Sequence, residues 1–345
     1  MKNYLENIVT KLVNEIIYSK YIVITSHKNA DPDAVSSAIV LSRFIQTITH
    51  KKPYIIFPEG INEVSKKIIK ELNLSDYIYD LNFLLKTILR HSDPLYIIVD
   101  TSSSGQLGIL KDLVLNSKYI LIDHHRPSDL LDSAIISFIN PHIRSTSELV
   151  YNIIHRYYTF EALDAVLLLT GILYDTRRFL LASPNTLWIA GDLLKIEGVD
   201  YRLVLDLLRM EMDISERIAR LKAAQRLSFK RIGKYIIAYT HVSAFESSVA
   251  RSIIDLGADV AIVASSNKEV RIVARARQSF YKELGISLGR DIMPKVGEYL
   301  RGSGGGHDIA AVASGIGEID IALEYTVSLI TRLIKEKIKN MKIGL

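Results

Sequence analysis

Short runs of β-branched and aromatic residues alternate along the first half of the chain with longer stretches whose apolar residues recur every three or four positions. The runs at 21–26, 53–57, 95–100, 119–123 and 134–139 are apolar almost throughout, as strands covered on both faces are. Stretches at 34–47, 62–72 and 148–158 show the spacing of helices packed on a sheet. Strand and helix in alternation predict a parallel sheet. Ser145 and Glu148 open the last of these helices with the Ser-x-x-Glu pattern of a capping box. From 184 to about 231 the pattern is helical throughout and includes Arg217, Arg220, Lys222, Arg226, Lys230 and Arg231, as on the solvated face of a connector. Further strands are expected at 234–240, 259–264 and 269–274, and helices at 244–256 and 319–338. The chain thus divides into an α/β domain at 1–183, a helical connector at 184–231 and a smaller α/β domain at 232–345.

Composition narrows the chemistry. No cysteine is present, which excludes disulfides, thiolate ligands and thiol nucleophiles, so any metal must be held by histidine and carboxylates. The longest strongly apolar run, 165–174, is bounded by Asp164 and Asp175 and is far shorter than the roughly 20 residues of a bilayer-spanning helix. Glu6 falls where a signal peptide is apolar, and no small-residue cleavage site follows. A cytoplasmic protein without membrane attachment is therefore expected. The net charge of +5 suits a polyanionic substrate without selecting one.

Acidic residues and histidines collect at the ends of predicted elements. His27, Asp31 and Asp33 fall in the loop after the first strand, Asp100 ends the third, Asp123-His124-His125 ends the fourth, and Asp175 follows a very apolar helix. Open α/β sheets place their sites at the carboxyl ends of strands. Each residue alone is an ordinary cap or turn position. Together, His27, Asp31, Asp33, Asp100, His124 and Asp175 make a nitrogen-and-oxygen donor set large enough for two cations, the arrangement used for phosphoryl hydrolysis.

These residues resemble the DHH phosphoesterase superfamily, named for the Asp-His-His that stands here as Asp123-His124-His125. The first motif, His-x-x-x-Asp-x-Asp, is met by His27, Asp31 and Asp33, the second by Asp100, and the fourth by Asp175, Thr176 and Phe179. The Gly-Gly-His of the DHH-associated domain is met by Gly305, Gly306 and His307. The resemblance implies a Rossmann-like catalytic domain in which His27, Asp31 and Asp100 hold one metal and Asp33, Asp100, His124 and Asp175 the other. Asp100 would bridge the pair, and Asp123 would orient a ligand imidazole from just outside the ligand set. His125 would touch the scissile phosphate or protonate the leaving oxygen. Carboxylate-rich sites of this kind suit two Mn²⁺ ions, with Mg²⁺ or Co²⁺ as substitutes.

In the second domain, Gly304, Gly305 and Gly306 are expected to let backbone amides approach a phosphate, with His307 adding a donor. Arg275 and Arg277, one residue apart at a strand end, are expected on one face as a phosphate clamp. Three departures stand out: Pro32 where many members have glycine, Arg177 and Arg178 where smaller residues are common, and Ala310-Ala311-Val312 where Ala-Ala-Gly is usual. The implied activity is hydrolysis of short RNA or DNA oligonucleotides or small nucleotides, extending to the 3′-phosphate of adenosine bisphosphate. Competing expectations are a RecJ-like single-strand exonuclease, a cyclic dinucleotide phosphodiesterase, and a non-enzymatic nucleic-acid-binding subunit of a replication or repair assembly. A homodimer is compatible with all of them.

Overall fold

The computed structural model describes residues 2–88 and 93–343. They form two compact units, Met1–Met210 and Glu211–Leu345. In the first, β1 (Ile22–Thr25), β2 (Tyr54–Ile55), β3 (Leu95–Val99), β4 (Tyr119–Asp123) and β5 (Ile136–Ile139) make a parallel sheet ordered β2-β1-β3-β4-β5. Strand residues alternate between faces. Ile24, Ile97, Val99, Ile120 and Ile122 enter one apolar cluster, while Val23, Tyr96, Ile98, Tyr119 and Leu121 enter another on the opposite face. Burial on both sides is why these strands read as unbroken apolar runs.

The larger cluster packs against the helices Pro32–Thr49, Thr146–Ile154 and Ala162–Asp175. The first is started by Asp31, whose carboxylate accepts from the amides of Asp33 and Ala34, with Pro32 supplying a preset φ in the first turn. Strand order reverses direction between β1 and β3, and that switch point is where an open sheet leaves a crevice for ligands. A helix at Lys2–Tyr18 was not expected, although Leu12 and Ile16 enter the core at helical spacing.

The stretch expected as one helical connector is shared out instead. Pro184–Leu193 and Tyr201–Leu207 bury Ile189, Leu193, Val204 and Leu207 in the core of the first unit. Ile214–Gln225 belongs to the second unit, and β6 (Ser228–Ile232) is a strand, not a helix. Its charged, largely exposed edge imitates a helix face, and only antiparallel pairing with β7 (Tyr235–His241) makes it extended.

With β8 (Val260–Ser266), β9 (Val270–Ala276), β10 (Ser303–His307) and β11 (Ala310–Gly315), these strands form a sheet ordered β10-β11-β9-β8-β7-β6, in which β7 and β8 alone run parallel. The Ile319–Ile343 helix packs on one face through Ala322, Val327 and Ile330, and Glu246–Leu256 packs on the other through Val249, Ala250 and Ile253. Among the described residues no helix is long and apolar enough to cross a membrane.

Candidate metal centre

Neighbouring strands deliver four of the seven candidate residues. His27 follows β1, Asp100 follows β3, and His124 and His125 follow β4 directly. Asp31 and Asp33 come with the start of the Pro32–Thr49 helix, and Asp175 is the last residue of Ala162–Asp175. Asp100 is buried and has φ +62°, in the left-handed region that non-glycine residues avoid. The Thr146 hydroxyl donates to its Oδ1 at 2.8 Å. So placed, Asp100 lies between two imidazoles, with Oδ2 3.6 Å from His27 Nε2 and Oδ1 3.5 Å from His124 Nε2. His27 Nε2 is also 4.0 Å from Asp31 Oδ1, and His124 Nε2 is 3.0 Å from Asp175 Oδ2.

Three overlapping donor groups result, one of them Asp100, His124 and His125. In His27, Asp31 and Asp100, and again in Asp33, Asp100, His124 and Asp175, one ligand atom from each residue lies within 4.8 Å of the others. The Lys28 carbonyl, 2.9 Å from His27 Nδ1, can only accept, so Nδ1 carries the proton and Nε2 keeps its lone pair for an ion. Asp33 is fully buried, and its oxygens accept from the Thr146 amide at 2.5 Å and the Ser147 amide at 2.9 Å. These are the first two amides of the Thr146–Ile154 helix, whose positive end favours an anion.

The electrostatics point the same way. Burial, then Asp175, pushes Asp33 up to about 7. Burial, then Asp33, Asp31 and Asp175, holds Asp100 well above the usual carboxylate range, and burial with Asp175 raises Asp31. Burial opposes charge on His124, but Asp175 and Asp33 outweigh it and lift the ring to about 9. Among the described residues no lysine or arginine ion-pairs with these carboxylates. His124 Nε2 is buried and meets no partner in hydrogen-bonding geometry. Carboxylates crowded around one another with no lysine or arginine beside them, and imidazole nitrogens facing them, are what divalent cations would satisfy, so the residues fit such ions.

A model of the DHH family N-terminal domain matches residues 21–172. An uncharacterized protein of Methanocaldococcus jannaschii is 35% identical over 288 residues, covering 82% of this chain and 84% of that protein. The chain belongs to the DHH phosphoesterase superfamily. The cyclic-di-AMP phosphodiesterase GdpP of Bacillus subtilis is 24% identical over 327 residues, 92% of this chain but 48% of that protein, so the chain spans about half the length of this relative. In fold, it matches the crystal structure of an exopolyphosphatase-related protein from Bacteroides fragilis with a TM-score of 0.60 at 21% identity, covering 96% of this chain and 97% of that one. As a DHH protein it is a metal-dependent phosphoesterase.

Within this DHH centre, two details differ from expectation. Asp123 is fully buried and orients His125, not the ligand candidate His124: its Oδ1 accepts from the His125 amide at 3.1 Å and lies 2.8 Å from His125 Nδ1. Burial works against the charge of Asp123, but these His125 hydrogen bonds hold its carboxyl below the usual range. The His125 side chain, 57% exposed, is the most exposed of the three histidines of the centre. The capping box is half formed. Ser145 accepts from the Glu148 amide at 3.1 Å, while the Glu148 carboxylate turns to Thr186 and Asn185, at 2.9 Å each.

Sequence reasoning missed Thr146, Ser147 and Gly171. A Cβ on Gly171 would stand 2.1 Å from Ser147 Oγ and 2.6 Å from Asp33 Oδ1, so the glycine makes room for the carboxylate. An isolated glycine inside a very apolar helix was the available signal. Arg177, Arg178 and Phe179 occupy three successive left-handed positions, φ +51°, +56° and +69°, directly after Asp175-Thr176. A larger cavity of about 510 Å³ opens around His142, Asn152 and Asn185, and no candidate ligand lines it.

In the second unit the Gly-rich stretch is a strand. Gly304 packs so closely that a Cβ would meet the Met293 carbonyl oxygen at 1.9 Å, Gly306 has φ +137°, and Gly305 faces open space. Register places His307 opposite Ala310 and Ala310 opposite Arg275, so Arg275 and His307 share one face. Arg275 Nε is buried without a partner. β9 ends before Arg277, whose guanidinium donates to the Ile254 carbonyl at 3.3 Å instead of joining Arg275 in a clamp.

Proposed function

We propose that this phosphoesterase uses two Mn²⁺ ions to hydrolyse short oligonucleotides to mononucleotides, in the manner of a nanoRNase. The observation that carries this is Asp100, a single buried carboxylate with one oxygen toward each of two donor groups. When bound, the cations would supply Lewis acidity and bring the pKa of a water toward neutrality. His27, Asp31 and Asp100 would hold one ion, and Asp33, Asp100, His124 and Asp175 the other. Asp123 orients His125 through Nδ1 and leaves Nε2 for an oxygen of the scissile phosphate or the leaving group. Arg275, Gly305 and His307 would bind substrate phosphate in the second unit, with Gly304 and Gly306 shaping the strand.

A second reading, hydrolysis of cyclic dinucleotides, is favoured by the likeness to GdpP over 92% of this chain. Both are tested by incubating the protein with Mn²⁺ and, in parallel, a ribonucleotide dimer, cyclic-di-AMP, adenosine 3′,5′-bisphosphate and a long single-stranded DNA. Fastest cleavage of the dimer supports the proposal. Cleavage of the cyclic dinucleotide alone transfers the assignment to the second reading, and preference for the long strand transfers it to a RecJ-like exonuclease. No cleavage with Mn²⁺, Mg²⁺ or Co²⁺ removes hydrolysis of all four.

A further inference from the structure

The cavity of about 510 Å³ around Asn152 lies wholly within the first unit, and none of the metal-centre residues lines it. Its walls come from separate elements: the Lys2–Tyr18 helix gives Val9, the Thr146–Ile154 helix gives Leu149, Asn152 and Ile153, and Asn140 directly follows β5. Val9, Leu149 and Ile153 are buried, so part of the wall is apolar. A cavity of a few hundred Å³ that sets a few polar groups in an apolar wall is the usual build of a small-molecule site.

The polar groups are held in defined roles. Asn140 Oδ1 accepts from the His142 amide at 3.0 Å, which leaves Nδ2 as a donor. His155 Nδ1 lies 3.2 Å from the carbonyls of Tyr151 and Asn152. Carbonyls only accept, so Nδ1 carries the proton and Nε2 is left as an acceptor. The His155 ring also stacks on Tyr151, with centroids 5.1 Å and planes 5° apart. The Asn152 side chain makes no hydrogen bond among the described residues, and its carboxamide offers a donor and an acceptor side by side. That pairing matches the edge of a nucleobase, which carboxamides read in two-point fashion. Tyr157, half exposed, adds an aromatic ring to the lining, and every base has a face to stack on one.

Charge limits what can enter. Glu148 is fully buried in the wall, and its oxygens accept from neutral groups, Oε1 from Asn185 Nδ2 and Oε2 from the Thr186 hydroxyl, each at 2.9 Å. Arg156 also lines the cavity but is not a free cation. A phosphate here would meet a buried carboxylate with no spare counter-charge. We propose that this cavity binds a neutral nucleobase or nucleoside through Asn140, Asn152 and His155, at a site separate from the metal centre. It discriminates against nucleotides, the opposite preference to that of a centre built to hold phosphate. The site does not depend on which phosphodiester the metal centre cleaves.

The test is calorimetric titration of the full chain, with chelator present, against adenosine, guanosine, cytidine and uridine, and then against the 5′-monophosphate of whichever binds tightest. Without metal or phosphate, these nucleosides have no reason to collect at the metal centre. One nucleoside site per chain is expected, with the monophosphate bound at least about tenfold more weakly. Asn152→Leu, similar in size but without the carboxamide, is expected to weaken the nucleoside by about tenfold or more, and Tyr157→Leu to weaken it by about threefold, with thermal melting to verify folding. Should Asn152→Leu fail to fold, the half-exposed Tyr157→Leu supplies the same comparison. Absence of binding by all four nucleosides, or undiminished binding in the folded variants, overturns the site. A monophosphate bound as tightly as its nucleoside overturns the assignment to a neutral ligand.

Discussion

Asp100 joins three properties that seldom coincide in one residue: burial, a left-handed backbone, and two imidazoles within 3.6 Å. Strain of this kind persists only where surrounding contacts enforce it, and Thr146 is one of those contacts. Thr146→Val, which keeps the shape and removes the hydroxyl, is expected to weaken Mn²⁺ binding by roughly tenfold, whereas Thr146→Ser should bind within about threefold of native. Equal affinity in all three proteins would remove the positioning role. The raised carboxylates also predict a pH dependence. In the metal-free protein Asp33, raised to about 7, stabilises the fold below its ordinary value near 3.8 and loses that contribution by about 7. His124, raised to about 9, loses its contribution between 6.5 and 9. The metal-free fold should therefore weaken as pH rises through this window, while deprotonated ligands bind cations better. The rise in melting temperature on adding Mn²⁺ should be larger at pH 8 than at pH 6, and a rise that is the same or smaller at pH 8 would contradict this.

At the scale of elements, the Thr146–Ile154 helix aims its first two amides at Asp33, and the Ala162–Asp175 helix approaches through Gly171. In an ordinary helix interior a glycine-to-alanine change stabilises by about 1 kcal/mol. At Gly171 the added methyl overlaps Ser147 and Asp33, so Gly171→Ala should destabilise by about 1–3 kcal/mol and weaken Mn²⁺ binding; urea unfolding and metal titration test both. In the second unit Gly304→Ala, driven against the Met293 carbonyl, should lower the melting temperature, while Gly305→Ala, with nothing within 4 Å, should not. Equal melting temperatures would refute that division. Elements buried on both faces were legible in sequence: the run at 119–123 is β4 itself. β6 and β10 were not, because their extended form comes from hairpin pairing with the strands that follow them, β7 and β11, and not from their own residues. Glu148 was misjudged likewise, since Thr186 and Asn185, which capture it, are distant in sequence.

Across the whole molecule, donors spread from position 27 to position 175 meet because β1, β3 and β4 are adjacent in the sheet and end at the same edge. Their identity was legible from residue type and motif, whereas the contacts that hold them were not: the amides behind Asp33, the hydroxyl behind Asp100 and the histidine that Asp123 orients appear only when the helices pack on the sheet. The shared role of Asp100 is the most direct point of attack. Calorimetric titration of metal-free protein with Mn²⁺ should give about two ions per chain, and Asp100→Asn, similar in shape but without the charge, should bind no more than one and lose hydrolysis of the ribonucleotide dimer. Two ions bound as tightly in Asp100→Asn as in the native protein would contradict the bridged centre.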